Sequence, residues 1–197
     1  MARQLRMVRP NLDGLPQLEI PEGYEIRTYQ EGDDVHWASV ISDSFGGERT
    51  AEDARRDIMD RDVFDPKGLY FATYQGTPVG TTCAWKDTPD ETEVGIVHMV
   101  GVHSAHTGHK LGKCVTLSVL LYLQEHGFRC AKLGTDDFRL PAIKTYLNLG
   151  FLPVYVDVTQ PERWREIFRK LNLPAMSDQA EKIKAEISDE MWAKVTQ

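Results

Sequence analysis

Apolar and polar positions along this chain follow two periods, and the order in which they succeed one another outlines a fold. Residues 24–29 (YEIRTY) alternate one by one, as a strand with one buried face does. From Asp33 or Asp34, either of which can cap a helix, Val35, Trp37, Val40 and Ile41 recur at helical spacing until Phe45-Gly46-Gly47. Thr50 and Asp53 form a capping-box pattern for a second helix through Ile58 and Met59, stopped by Asp65-Pro66-Lys67-Gly68. Residues 69–74 and 79–85 read as a hairpin around Gln75-Gly76-Thr77-Pro78, and 93–102 as a third strand. A helix over 110–126 ends at Gly127. Residues 131–135 then give a short strand, 141–149 a helix ended by Gly150, and 151–158 a last strand.

The two ends read differently. Pro10, Pro16 and Pro21 interrupt residues 1–22, which therefore read as an extended arm whose Leu12, Leu15, Leu18 and Ile20 pack on the body. Beyond Thr159, Trp164, Ile167, Phe168 and Leu171 make one apolar helical stripe. Pro174 breaks it, and 177–195 is a charged helical stretch carrying Ile183, Ile187, Met191 and Trp192. Three segments result: an arm (1–22), a mixed α/β domain (23–158) and a helical extension (159–197) that docks on the domain or forms a dimer contact.

Composition narrows the chemistry. The 197 residues hold 23 Lys+Arg against 30 Asp+Glu, a formal net charge of −7, which speaks against a basic nucleic-acid binder or a membrane-surface protein. Cys83, Cys114 and Cys130 lack metal-ligand spacing and read as reduced thiols. No apolar run is long enough to span a bilayer, and Met1 to Pro10 lacks a signal-peptide core, so a cytoplasmic location is expected.

The chemistry concentrates in EVGIVHMVGVHSAHTGHKLGKCVTLSVLLYLQEHG, residues 93–127. A strand runs through a loop with Gly108 and Gly112 into a long helix. Free amides and the dipole at a helix start suit a phosphate, with His109, Lys110 and Lys113 adding charge. Taken alone, the segment is equally an ordinary strand-to-helix turn. His103, His106 and His109 are spaced three apart, but no carboxylate or cysteine ligand accompanies them, so no metal is expected. Cys114, inside the helix, reads as core packing, and Asp136-Asp137 as a strand-end turn.

A second segment, TDDFRLPAIKTYLNLGFLPV (135–154), changes the reading. Together the two resemble the GNAT superfamily of acetyl-CoA-dependent N-acetyltransferases. The family's Gln/Arg-x-x-Gly-x-Gly/Ala falls on Thr107, Gly108, His109, Lys110, Leu111 and Gly112, after Val100-Gly101-Val102. Its Asn-x-x-Ala-x-x-x-Tyr followed by Gly-Phe falls on Arg139, Ala142, Tyr146, Gly150 and Phe151. Thr107, Lys110 and Arg139 depart from the family pattern. The Cβ of Lys110 is tolerated there if that residue is already helical.

The resemblance implies a mixed, mostly antiparallel central sheet flanked by helices, with acetyl-CoA as donor. It places the pyrophosphate on the amides from His109 to Lys113 and the pantetheine arm along the strand ending at Val102. The amide near Val100 would polarise the acetyl carbonyl. Tyr146 becomes the general acid for the departing thiolate, and no covalent acetyl-enzyme is needed. VHMVGVH is also similar to the strand of arylalkylamine N-acetyltransferases whose histidines line the amine site, which makes His98 the candidate base and Glu93 an alternative through water. A regular strand would put Ile96, His98 and Val100 on one face, whereas a bulge, which the resemblance implies near here, would alter that facing. The acceptor expected is a small-molecule primary amine approaching past the first two helices, with Trp37, Phe45 and the Ser42-Asp43-Ser44 turn as wall residues. A protein or peptide acetyltransferase, or a non-catalytic coenzyme-binding module, remain the alternatives.

Overall fold

The computed structural model describes residues 3–174, 176 and 179–197. These form a seven-stranded sheet in the order β2-β3-β4-β5-β6-β1-β7. The strands are β1 (Leu5–Arg9), β2 (Tyr24–Thr28), β3 (Leu69–Tyr74), β4 (Thr77–Trp85), β5 (Val94–Val102), β6 (Cys130–Thr135) and β7 (Leu152–Val154). All neighbours pair antiparallel except β5 and β6. The helices are α1 (Asp34–Phe45), α2 (Ala51–Ala54, continued by a π-turn over Arg55–Met59), α3 (Leu111–Glu125), α4 (Leu140–Asn148), α5 (Gln160–Lys170), α6 (Ala180–Lys184) and α7 (Asp189–Thr196). This is the mixed, mostly antiparallel α/β architecture with a helical C-terminal part that the sequence implies.

The local signals act as expected at several places. Thr50 Oγ1 accepts from the amide of Asp53 at 3.1 Å while Asp53 accepts from that of Thr50 at 2.9 Å, closing the capping box that starts α2. Helix α3 is buried along most of its length and packs on β3, β4 and β5. Val97, Leu117, Leu120 and Leu133 belong to the main core on that face, which α4 and α5 extend through Ile143, Trp164 and Phe168.

Three elements differ from the sequence reading. Leu5–Arg9, expected within an extended arm, is a strand between β6 and β7 with Leu5, Met7 and Val8 fully buried. The last strand stops at Val154 instead of reaching residue 158. The charged stretch expected over 177–195 is two helices, separated where Ser188 caps α7 by accepting from the amide of Met191; Ser177, its expected start, lies outside the described residues.

Candidate active site

The site opens where two strands part. Strands β5 and β6 pair from Val94↔Cys130 to Ile96↔Lys132 only, although β5 runs on to Val102 and β6 to Thr135. At the same level β5 carries a bulge: Cys83 faces His98 and Thr81 faces Gly101, so Met99 and Val100 together oppose Thr82. Met99 takes φ +54°, and Thr82 Oγ1 donates to the His98 carbonyl at 3.0 Å.

The bulge decides the facing of this strand, and it is not the facing of a regular one. His98 pairs with Cys83, whose side chain packs under α1, and its ring stacks on Trp85 with centroids 5.2 Å apart. Val100 and Val102 instead pack with Leu111 and Val115 on the α3 side. One extra residue inverts the alternation, so His98 and Val100 lie on opposite faces of the sheet.

On the α3 side lies a cavity of about 480 Å³. Nine of the ten residues expected around the coenzyme line it: Val100, Val102, Gly108, Lys110, Leu111, Gly112, Lys113, Arg139 and Ala142. His109 does not; its ring turns toward Tyr24, with centroids 5.3 Å apart. Ser44, His106, Thr107, Pro141 and Thr145 complete the wall. Pro141 and Thr145 are legible in retrospect, because they lie next to Ala142 and Tyr146 on one side of α4. Ser44 comes from the end of α1, in the turn expected to border the acceptor, and lines this cavity.

The loop before α3 leaves its donors free. Gly108 adopts φ +86°, a conformation that suits glycine. Lys110, expected to be helical, is instead left-handed at φ 60°, ψ 15° and precedes the first helical residue, with no side-chain cap. Its carbonyl accepts from the amides of Lys113 and Cys114. Among the described residues, the amides from Gly108 to Gly112 meet no acceptor. A Cβ added at Gly112 would meet only Val102 Cγ2, at 3.8 Å, so the protein itself does not require glycine there.

Tyr146 lines the inner part of the cavity, 6% exposed, and no hydrogen bond of its hydroxyl is recorded among the described residues. Burial raises its pKa, with the Arg139 charge opposing, so the phenol keeps its proton across the physiological range. Burial pushes the His98 imidazole the other way, down to about 4, leaving it neutral at neutral pH. Glu93 is held by Arg129 at 3.5 Å and Lys194 at 3.6 Å, and it precedes β5, several residues from the bulge.

The end of α1 is tied to both sides of the cavity mouth. Asp43 accepts from Ser104 Oγ at 2.9 Å, and the Arg139 guanidinium lies 4.1 Å from the Phe45 ring centroid. Phe45 is thus partly exposed beside the cavity. Trp37, the other expected wall residue, is fully buried in the core beneath α1 and offers no surface to an acceptor. The helical period showed that a face was buried but not that Trp37 lay at its centre.

Other expected features have structural partners. Asp136 holds Arg139, and Asp137 pairs with Arg163. Cys114 donates to the Glu19 carbonyl. His106 Nδ1 lies 3.0 Å from the Tyr24 hydroxyl, and no convergent set of metal ligands exists among the described residues. No described helix is long and apolar enough to cross a membrane.

A parted pair of parallel strands, a bulge beside the gap and a helix start with free amides together define the scaffold of a GNAT-type acetyltransferase. The model of the acetyltransferase (GNAT) family matches residues 35–151, and the chain belongs to that family. It is 34% identical to a mycothiol acetyltransferase of Thermobispora bispora over 164 residues, covering 78% of this chain and 55% of the relative. A mycothiol acetyltransferase of Thermomonospora curvata is 35% identical, with 78% and 53% covered. The chain spans about half the length of the curated relatives it matches. Among solved structures, a GCN5-related N-acetyltransferase from Sphaerobacter thermophilus superposes with a TM-score of 0.63 at 22% identity, covering 77% of this chain and 49% of that one.

Proposed function

We propose that this protein transfers an acetyl group from acetyl-CoA to a primary amine of a small molecule, with both substrates bound at once. The observation that carries the reading is one cavity joining the unclaimed amides at the start of α3 to the Tyr146 hydroxyl, beside the bulge in β5. Its size and its free donors fit the coenzyme: the amides of residues 108–112 receive a pyrophosphate, and the ammonium groups of Lys110 and Lys113 add charge. When bound, acetyl-CoA supplies the acyl group activated as a thioester.

The chain's residues do the rest. Backbone displaced at the Met99–Val100 bulge offers a donor to the acyl carbonyl. Tyr146, which stays protonated, gives its proton to the departing sulfur. Burial keeps His98 neutral and a weak base, so it accepts its proton from an amine that arrives uncharged and becomes acidic only as its nitrogen attacks, on the other face of the sheet. Phe45 borders the acceptor's approach. The name of the relatives, mycothiol acetyltransferase, supports a small-molecule acceptor. Thiol release from acetyl-CoA, followed with a panel of small amines beside a panel of peptides, tests the reading. Release that depends on a small amine is expected; release with peptides alone would reassign the acceptor. Calorimetry showing no binding of acetyl-CoA at millimolar concentration would overturn the function.

A further inference from the structure

The sheet face opposite α3 carries two separate covers. Helices α1 and α2 pack Trp37, Ile41 and Ile58 over β3 and β4. Helices α6 and α7 pack Ile183, Met191 and Val195 over Val8, Val94 and Cys130. The registers put the residues between these covers on the same face. Ile96 pairs with Lys132, Lys132 with Val8, and Gly134, two residues on, with Arg6. Lys132 is roofed by α7, its ammonium bonded to the Lys194 carbonyl and Asp87 at 2.6 Å each. Ile96, His98 and Arg6 remain partly exposed although they lie on interior strands. They lie between the two covers, with His98 on the α1 side and Arg6 on the other.

Arg3 and Arg9, the neighbouring arginines, donate to main-chain carbonyls, of Val156 and of Leu149 and Asp13, and Arg6 differs from both. Arg139, Arg163 and Arg27 each have a carboxylate partner, Asp136, Asp137 and Asp33. Among the described residues, the Arg6 side chain makes no hydrogen bond and no ion pair, in a chain that carries a surplus of seven acidic groups. Burial disfavours its charge, Arg3 adds a like charge, and Asp87 attracts it only at longer range while bonded to Lys132. A partly desolvated guanidinium without a counterion is unfavourable, and its planar fork fits a carboxylate or phosphate in two-point contact. The coenzyme cavity lies on the other face, so an anion that pairs with Arg6 would approach on the face that His98 shares.

We propose that the acceptor is an amine that also carries an anionic group, a carboxylate or a phosphate, and that Arg6 binds this group while the amine lies at His98. The inference rests on the acetyltransferase reading above. Two strand spacings separate β5 from β1, about 10 Å before the strands part, so the amine and the anion lie towards opposite ends of the acceptor.

Matched pairs test it: ω-amino carboxylates against their carboxamides, and aminoalkyl phosphates against the parent amino alcohols, each assayed by thiol release. The anionic member of at least one pair is expected to exceed its neutral partner by tenfold or more in kcat/KM, and the pair that responds identifies the group. Arg6→Gln should lower kcat/KM for that amine by roughly 10- to 100-fold, mainly through KM, with Arg6→Lys restoring part of it. Equal turnover of charged and neutral partners by the wild type would overturn the proposal even if the variants failed to fold. An Arg6→Gln loss that is the same for both partners would overturn it too. Turnover of small amines with no anion preference would leave the acetyltransferase reading standing, whereas no turnover of any amine would remove both.

Discussion

Gly112 separates a ligand-driven constraint from a folding one. It is the second residue of α3, and an added Cβ would find open space apart from Val102 Cγ2 at 3.8 Å. Alanine is favoured over glycine by about 1 kcal/mol in a helix interior, and by part of that in the first turn. Gly112→Ala should therefore stabilise the ligand-free protein by about 0.5 kcal/mol, raising its unfolding midpoint by about 1–2 °C at this chain length. The same methyl group projects into the cavity where the amides of residues 108–112 are free. Displacing a pyrophosphate from one charge-assisted amide bond forfeits about 1.5–3 kcal/mol, or roughly 10- to 100-fold in Kd. Thermal unfolding without ligand and calorimetric titration with CoA measure the two effects on one sample. Unchanged stability with unchanged affinity, or a gain in stability with no loss of affinity, would refute the idea that the coenzyme sets the glycine.

Two further outcomes concern the proton carriers. Tyr146→Phe keeps the ring that packs at 6.0 Å from Phe151 but removes the hydroxyl, so single-turnover acetyl transfer should fall by about 10²–10⁴-fold with CoA affinity retained; a wild-type chemical step would reduce Tyr146 to a packing residue. His98, held neutral down to about pH 4 where an unfolded chain would bind a proton near 6.5, makes folding stability fall as pH drops through that window. The loss approaches about 3 kcal/mol at its acid end, and denaturation curves of wild type and His98→Gln between pH 7 and 4 should converge toward low pH.

Much of the site was legible because it is local. A strand, a glycine loop and a helix start follow one another within residues 94–112, and the helix that Arg139 precedes shows Ala142 and Tyr146 on one face at a period that reads directly from the chain. What escaped depends on partners distant in sequence. Strand β1 is five residues long, and its neighbours β6 and β7 lie more than 120 residues away, so LRMVR carries no turn or hairpin signal to reveal its place. Lys110 gives no sign of a left-handed backbone, since lysine favours helix by propensity. The shared face of Arg6, His98 and Lys132 is equally silent, because they come to one side of the sheet only through registers that three strands set together.

The bulge in β5 allows the sharpest separation of fold from chemistry. Two residues, Met99 and Val100, face Thr82, while the pairs on either side, Cys83 with His98 and Thr81 with Gly101, are in regular register. Deleting Met99 would let Val100 face Thr82 directly and leave every other side chain of β5 on its present face. The deletion removes a non-glycine residue at φ +54°, a conformation that is unfavourable by about 1–2 kcal/mol. It also loses the contact of the half-buried Met99 side chain with the core beneath α1, a term of similar size and opposite sign. The shortened protein should therefore fold with stability within about 2 kcal/mol of wild type. Acetyl transfer should not survive so well, because the displaced backbone donor is gone, and loss of one such donor lowers turnover by about 10²–10³-fold. Calorimetry for stability and single-turnover kinetics for chemistry read the two separately. A deletion variant that folds and transfers acetyl at the wild-type rate would show that the bulge only accommodates an extra residue, and the polarising donor would then have to be sought elsewhere along β5.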